Sequence, residues 1–181
     1  MKDLLSVPPI RFVKVDPNGK AKPRLKLLMA AEEIRCVVKC IADTLSLHGL
    51  VPKYSEIVFE LTDQPVQHEG KAVAGVAFMW KGSARVWVDG TVNNFICTAL
   101  HEYLHLCGLM DEWVVSTLTG KLKSQIIERS KLMLASYYKN AAFIAHRLIA
   151  YKKGDMSKYN EEQWLVHTVK GWDYKHRRRR T

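Results

Sequence analysis

The chain has 181 residues, enough for one domain with a hydrophobic core and short for two. Hydrophobic residues make up 48% and charged residues 25%, which excludes a wholly disordered chain. The start, MKDLLSVPPIRF, lacks the apolar run of a signal peptide, and no apolar segment is long enough to span a bilayer. We therefore expect a protein of the cytoplasm, or of a virion and its host cytoplasm if it is viral, that contacts no membrane.

The first third of the chain contains one predicted helix. Residues 1–22 are polar and rich in proline, which predicts an irregular N-terminal arm or a short edge strand. From Arg24 to Leu47 apolar residues recur with a helical period, and Gly49 and Pro52 end the helix.

Three strands follow. EIVFELT (56–62) has alternating apolar residues, and AVAGVAFMW (72–80) and ARVWVD (84–89) are joined by KGS, in which Gly82 suits a tight hairpin turn. Which of these strands lies at the edge of the sheet stays open.

The second half of the chain is predicted to be mostly helical. VNNFICTALHEYLHLCGL (92–109) is a helix, and the scarcity of helix breakers from Asp111 to Tyr151 predicts one or two long helices. A loop beginning at Gly154 and a short helix complete an α+β fold. We find no linker, so we expect one domain over residues 1–174 and a basic tail over residues 175–181.

The tail, KHRRRRT, carries half of the formal net charge of +10. Such a run repels itself and is suited to binding the phosphates of nucleic acid, although it is equally suited to a solubilising terminus. The residues concerned are Lys175, Arg177, Arg178, Arg179 and Arg180.

The four cysteines show no paired spacing, and a chain of this size does not need disulfides. We therefore expect reduced thiols at Cys36, Cys40, Cys97 and Cys107.

The segment HEYLH has the spacing of a catalytic metal site. His101 and His105 lie about 40° apart on one edge of the predicted helix, beside its apolar stripe. Two imidazoles on successive turns can both reach one Zn²⁺ ion. Glu102 is rotated off that edge, so it can take a proton from a metal-bound water without being a ligand. Cys97, one turn before His101, is a small residue under the cleft or, as a weaker alternative, a fourth ligand of a structural site.

HEYLHLCGLMDE, preceded by two strands, resembles the zincin superfamily of zinc metallopeptidases over about residues 56–115. The resemblance implies a small mixed sheet packed on the HExxH helix, with an edge strand that pairs with an extended peptide substrate. It also implies that His101 and His105 are zinc ligands, that Glu102 is the general base and that Gly108 turns the chain after the helix.

The resemblance leaves the third zinc ligand open. Asp111 matches the third-ligand position of the HExxHxxGxx[HD] subclass and is slightly favoured. Glu112 matches a glutamate early in the next helix, as in short intracellular and phage-encoded metallopeptidases. Either acid also suits capping of that helix, and Asp111 is a good N-cap residue. Several tyrosines and histidines could stabilise the oxyanion, whereas His68 is predicted to be a loop residue.

Two functions are compatible with the sequence. The first is a zinc-dependent peptidase, more an endopeptidase than an exopeptidase, that acts on a protein or peptide. The second is a non-catalytic, metal-stabilised protein that acts through its basic surface in nucleic-acid binding or viral assembly. The combination of HExxH with a basic tail is also similar, more weakly, to SprT-like and Spartan proteases.

Overall fold

The computed structural model describes the backbone of residues 6–153 and the side chains of residues 6–136. The predicted loop at residue 154, the short helix after it and the basic tail lie outside the described residues. The elements in chain order are β1 (Ile10–Lys14), α1 (Ala31–Leu47), β2 (Ile57–Thr62), β3 (Val66–His68), β4 (Lys71–Val73), β5 (Gly75–Phe78), β6 (Ser83–Trp87), α2 (Val92–Leu106) and α3 (Glu112–Lys153).

Four strands form one mixed sheet in the order β1-β2-β6-β5. Strands β1, β2 and β6 are parallel, and β5 is antiparallel to β6. The expected α+β class is therefore confirmed. Strand β1 lies at one edge of the sheet and β5 at the other. Of the two alternatives for the N-terminal segment, an irregular arm and a short edge strand, the structure has the edge strand.

The strand predicted over residues 72–80 is wrong in its extent. It is interrupted at Ala74, and its first part, β4, pairs with β3 in a separate two-stranded sheet. An apolar run does not reveal that its two ends have different partners. The predicted hairpin is confirmed: β5 and β6 are joined by a turn in which Gly82 has a φ of +67°.

Helix α1 begins seven residues later than the apolar period predicts. Its start is fixed by Glu33, whose carboxylate accepts a hydrogen bond from the backbone N–H of Ala30 at 3.1 Å. Leu25 and Met29 precede the helix and are nevertheless buried. Their periodic spacing reflects burial in an irregular segment, which a sequence pattern does not distinguish from a helix.

Helix α2 packs against β5 and β6, and α1 packs against α2. Phe59 in β2 stacks on Phe12 of β1 at a centroid distance of 6.0 Å and on Tyr103 of α2 at 6.4 Å. These rings, with the fully buried Leu100 and Leu104, hold α2 in a fixed position on the sheet.

By its contacts the chain divides into two compact units, residues 1–127 and residues 128–181. The first contains the sheet, α1, α2 and the first part of α3, and the second contains the rest of that single long helix. The single domain over residues 1–174 stays a prediction. All four cysteines are free thiols. Over the part of the chain described, no helix is long and apolar enough to cross a membrane.

Candidate metal centre

The chain reverses direction after α2 through a glycine turn. Gly108 has a φ of +98°, which a residue with a side chain rarely adopts. Its N–H donates to the carbonyl of His105 at 2.9 Å, and the N–H of Leu109 donates to the carbonyl of Leu104 at 3.4 Å. These two hydrogen bonds define a Schellman motif. The turn brings the start of α3 back towards the last turn of α2.

Three side chains converge at this point. Glu112 Oε2 lies 3.1 Å from His101 Nε2, and Glu112 Oε1 lies 3.1 Å from His105 Nε2. The two Nε2 atoms are 3.3 Å apart. Within the residues that the structure describes, this group is the one whose ligand atoms lie close enough together to hold a metal ion, all within 4.8 Å of one another.

The distances would allow the three side chains to hold a metal ion such as Zn²⁺ in tetrahedral geometry. Zn²⁺ binds nitrogen and oxygen ligands at about 2.0–2.1 Å, so the corners of its tetrahedron lie about 3.3 Å apart. The separations of 3.1, 3.1 and 3.3 Å between the three side chains are close to this value. Two histidines and one glutamate are also a donor set of catalytic zinc sites, which keep the fourth position for water or substrate.

The ring of His105 is oriented by a backbone contact. Its Nδ1 lies 2.7 Å from the carbonyl oxygen of Leu109 and donates a hydrogen bond to it. The proton of a neutral ring is therefore on Nδ1, and the lone pair of Nε2 faces His101 and Glu112. A carbonyl behind a histidine ligand is a common arrangement in metal sites.

The surroundings of His101 favour its neutral form. Burial, and then the neighbouring His105, lower the pKa of His101, while the carboxylate of Glu112 acts in the opposite direction. A metal requires a neutral imidazole, so the lowered pKa favours binding.

Asp111 and Glu112, the two candidates for the third ligand, have different positions. Asp111 Oδ1 accepts hydrogen bonds from the N–H groups of Trp113 at 2.9 Å and Val114 at 3.1 Å. It is therefore the N-cap of α3, as the capping interpretation expected, and it is outside the group of three. The structure places Glu112, the first residue of α3, with the two histidines.

Glu102 is buried directly beside this group, with 6% of its surface exposed. Burial, followed by the charge of Glu112, raises the pKa of Glu102 to about 8, and a hydrogen bond from the backbone N–H of Ala77 opposes this rise. A carboxyl group whose pKa lies near neutrality can both accept and return a proton at physiological pH.

The edge strand β5 runs past Glu102 at close range. A Cβ atom placed on Gly75 would lie 3.0 Å from both Cγ and Oε1 of Glu102 and 2.8 Å from Cγ2 of Thr98. Two cavities, of about 460 and 440 Å³, share Gly75, His101 and Glu102 in their walls. The cleft along β5 therefore extends to both sides of Glu102.

His68 is a residue that the sequence interpretation missed. It was predicted to lie in a loop, but it ends strand β3 and lines the 460 Å³ cavity together with the three clustered side chains. Its ring packs edge-on against Phe78 with the centroids 6.3 Å apart. No signal near HExxH could have revealed it, because a separate hairpin brings it to the site.

Cys97 lines the 440 Å³ cavity with His101 but is not in the group of three. The tyrosines and histidines from residue 137 onwards lie outside the described side chains. So do the five basic residues of the tail.

Comparisons with known proteins find no match: no family model fits the chain, and no curated protein and no solved structure is similar to it. The interpretation of the site therefore depends on its own geometry.

Proposed function

We propose that this chain is a zinc-dependent peptidase with a zincin-like arrangement of sheet and helix. The observation that carries the proposal is the convergence of His101, His105 and Glu112 at the spacing of a zinc tetrahedron, with the buried Glu102 beside them. On this interpretation Glu112, and not Asp111, is the third ligand.

The roles of the side chains follow from their positions. A zinc ion at this site would supply an activated water at neutral pH and polarise the scissile carbonyl. Glu102, buried beside the three ligands, accepts the proton of the attacking water and passes it to the leaving nitrogen. His68, in the wall of the same cavity, is the candidate donor to the oxygen on which negative charge develops.

The shape of the cleft favours an endopeptidase. An extended peptide can lie along β5, whose outer edge has no strand partner among the described residues. Cavities on both sides of Glu102 leave room for residues before and after the cleaved bond. An exopeptidase would need one end of this cleft to be closed.

The alternative is a structural metal site in a protein that acts through its basic surface. A structural site needs a fourth protein ligand, for which Cys97 was the sequence candidate. Its position outside the group of three supports the catalytic interpretation. Substitution of Co²⁺ separates the two, because a cysteine ligand adds strong near-ultraviolet absorption and a site of two histidines and one glutamate does not.

The first experiment measures zinc content after preparation without chelators, and hydrolysis of an unfolded protein substrate. We expect about one zinc per chain. Glu102→Gln should keep the zinc and lower hydrolysis by about 10²–10⁴-fold, because the proton acceptor is lost.

The matched pair Glu112→Ala and Asp111→Ala tests the third ligand. Glu112→Ala should lose zinc, whereas Asp111→Ala should keep it and lose about 1 kcal/mol of stability with the helix cap. The proposal is overturned if the wild-type chain binds no zinc, or if Glu102→Gln hydrolyses the substrate at the wild-type rate. Zinc loss in Asp111→Ala alone would instead assign the ligand to Asp111.

A further inference from the structure

The described part of the chain carries its positive charge on one segment. Residues 10–39 contain eight Lys and Arg against three Asp and Glu, a net charge of +5. Residues 54–127, which include the candidate metal centre, contain five against eight, a net charge of −3. The excess is therefore local, and it lies on β1, the loop that follows it and α1.

Five of these eight cations form no salt bridge within the residues that the structure describes, and one of the five, Lys20, interacts electrostatically with Asp16. The other four have no acidic partner there. Elsewhere in the segment Arg11 pairs with Glu56 at 3.0 Å and Lys39 pairs with Asp43 at 3.0 Å. No carboxylate of residues 6–136 lies within 4.0 Å of the unpaired four, and all four are exposed. They are Lys14, Lys22, Arg24 and Lys26.

The loop that carries these cations is held in a defined conformation. The N–H of Lys22 donates to the carbonyl of Lys14 at 2.8 Å, and Asp16 Oδ1 accepts from the N–H of Lys20 at 3.0 Å. Val15 and Leu25 are buried beneath it. The positive charges are therefore held at fixed positions, where they repel one another. A bound anion would reduce this repulsion.

A groove runs beside this loop, between β1 and α1. Two cavities, of about 470 and 670 Å³, meet at Phe12 and Arg35, which line both. Lys14 and Lys26 stand at the rim of the smaller cavity, and its floor is apolar. The floor residues are Phe12, Leu27, Met29, Ile34 and Leu61.

We propose that the groove between β1 and α1 binds single-stranded nucleic acid, with the phosphates on the unpaired cations and a base on the apolar floor of the smaller cavity. Single strands offer both a regular row of negative charges and flat apolar bases, the two features that this groove matches. Phe12, half-buried where the cavities meet, is positioned to stack on a base. A duplex would offer the phosphates alone, and an acidic peptide would offer no flat bases for the floor.

The site is independent of the proposed peptidase. It lies at the β1 edge of the sheet, whereas the metal centre lies beside β5 at the opposite edge. Its residues are different from those of the terminal arginine run, so the chain of 181 residues must be tested with both regions varied separately.

The experiment measures fluorescence anisotropy of a labelled twelve-nucleotide oligo-dT between 50 and 200 mM NaCl. The groove variant is Lys14→Gln, Lys22→Gln, Lys26→Gln, and the control is Lys53→Gln, Lys71→Gln, Lys121→Gln, which removes the same charge from exposed lysines elsewhere. Removing three phosphate contacts should lower the slope of log K against log salt by about 2. We expect the affinity of the groove variant to fall more than tenfold and that of the control to fall less than threefold.

Phe12→Leu tests the stacking contact without a change in charge. Loss of one stacked base should lower the affinity by about 5- to 100-fold with the salt slope unchanged. Circular dichroism and the thermal unfolding midpoint identify a variant that fails to fold, and Phe12→Tyr, which keeps the ring, should then bind like the wild type.

Four results would overturn the proposal. The first two are an equal loss of oligo-dT affinity in the groove and control variants, and an equal affinity for a duplex of the same length. The others are competition by poly-glutamate as strong as that by unlabelled oligo-dT, and tight binding that disappears only when Arg177 to Arg180 are replaced by serine. The last result would assign the interaction to the tail. Binding to oligo-dT that depends on the groove lysines and on the ring of Phe12 would support it, whatever the outcome of the zinc experiment.

Discussion

Gly75 determines how closely β5 can approach the proposed base. A methyl group at this position would meet Thr98 at 2.8 Å and Glu102 at 3.0 Å, so one of the two side chains must move. We predict that Gly75→Ala lowers hydrolysis more than tenfold while the chain still binds zinc, because Glu102 is displaced and the ligands are not. Steady-state kinetics and zinc content measure the two effects.

Thr98→Ser provides the control for this prediction, because it removes the methyl group that causes the closest contact. If the activity lost in Gly75→Ala returned in the Gly75→Ala, Thr98→Ser double variant, the contact with Thr98 would be responsible and Glu102 would not be displaced. We expect the double variant to remain impaired, since the contacts with Glu102 persist.

Glu102 should also make the stability of the metal-free protein depend on pH. Burial first, and the charge of Glu112 second, raise its pKa from 4.5 to about 8. Between these values the folded chain holds a proton that the unfolded chain has released. The free energy of unfolding therefore falls as the pH rises through this window and changes no further above it.

Urea unfolding of the chelator-treated protein at pH 5 and pH 8 measures this dependence. The side chain in Glu102→Gln is neutral at every pH, so this variant has no cost of ionising a buried carboxyl group. The free energy of unfolding of Glu102→Gln, relative to that of the wild type, should therefore be higher at pH 8 than at pH 5 by roughly a few kcal/mol. Equal changes with pH in the two proteins would show that Glu102 is solvated or already ionised in the folded chain.

The elements around the centre show what the sequence pattern could predict. The spacing HExxH placed His101 and His105 on one edge of a helix, because the helical period alone determines that relation. The choice between Asp111 and Glu112 depends on where α3 begins. Asp111 lies just before the first turn and caps it, so its carboxylate is used by the backbone N–H groups of its own helix. Glu112 follows by one residue and points to the histidines.

The strands show where a sequence pattern is insufficient. Apolar residues over 72–80 correctly indicated extended chain, but the change of partner at Ala74 depends on the pairing of β4 with β3. That pairing also brings His68 to the cleft, from a position more than thirty residues before the HExxH segment. Contacts between distant segments of the chain depend on packing, and the local period of apolar residues does not predict them.

At the scale of the molecule, a basic surface can be recognised in the sequence only where the charged residues are consecutive. The arginine run at residues 177–180 is visible at once, whereas the four unpaired cations of the groove are spread over the end of a strand and the loop that follows it. They become one surface only when β1 and α1 are brought together. The same sheet separates this basic surface from the acidic region that contains the metal centre.

This separation predicts that the two sites act independently. Strands β2 and β6 lie between β1 and β5, a spacing of about 14 Å across the sheet. Removal of zinc should therefore leave the affinity for oligo-dT unchanged within twofold, and saturating oligo-dT should leave peptide hydrolysis unchanged within the same factor. Lys26→Gln should weaken oligonucleotide binding and leave hydrolysis intact. If oligo-dT instead altered the rate of hydrolysis several-fold and Lys26→Gln abolished that effect, the sheet would couple its two edges, and nucleic acid would be a regulator of the enzyme.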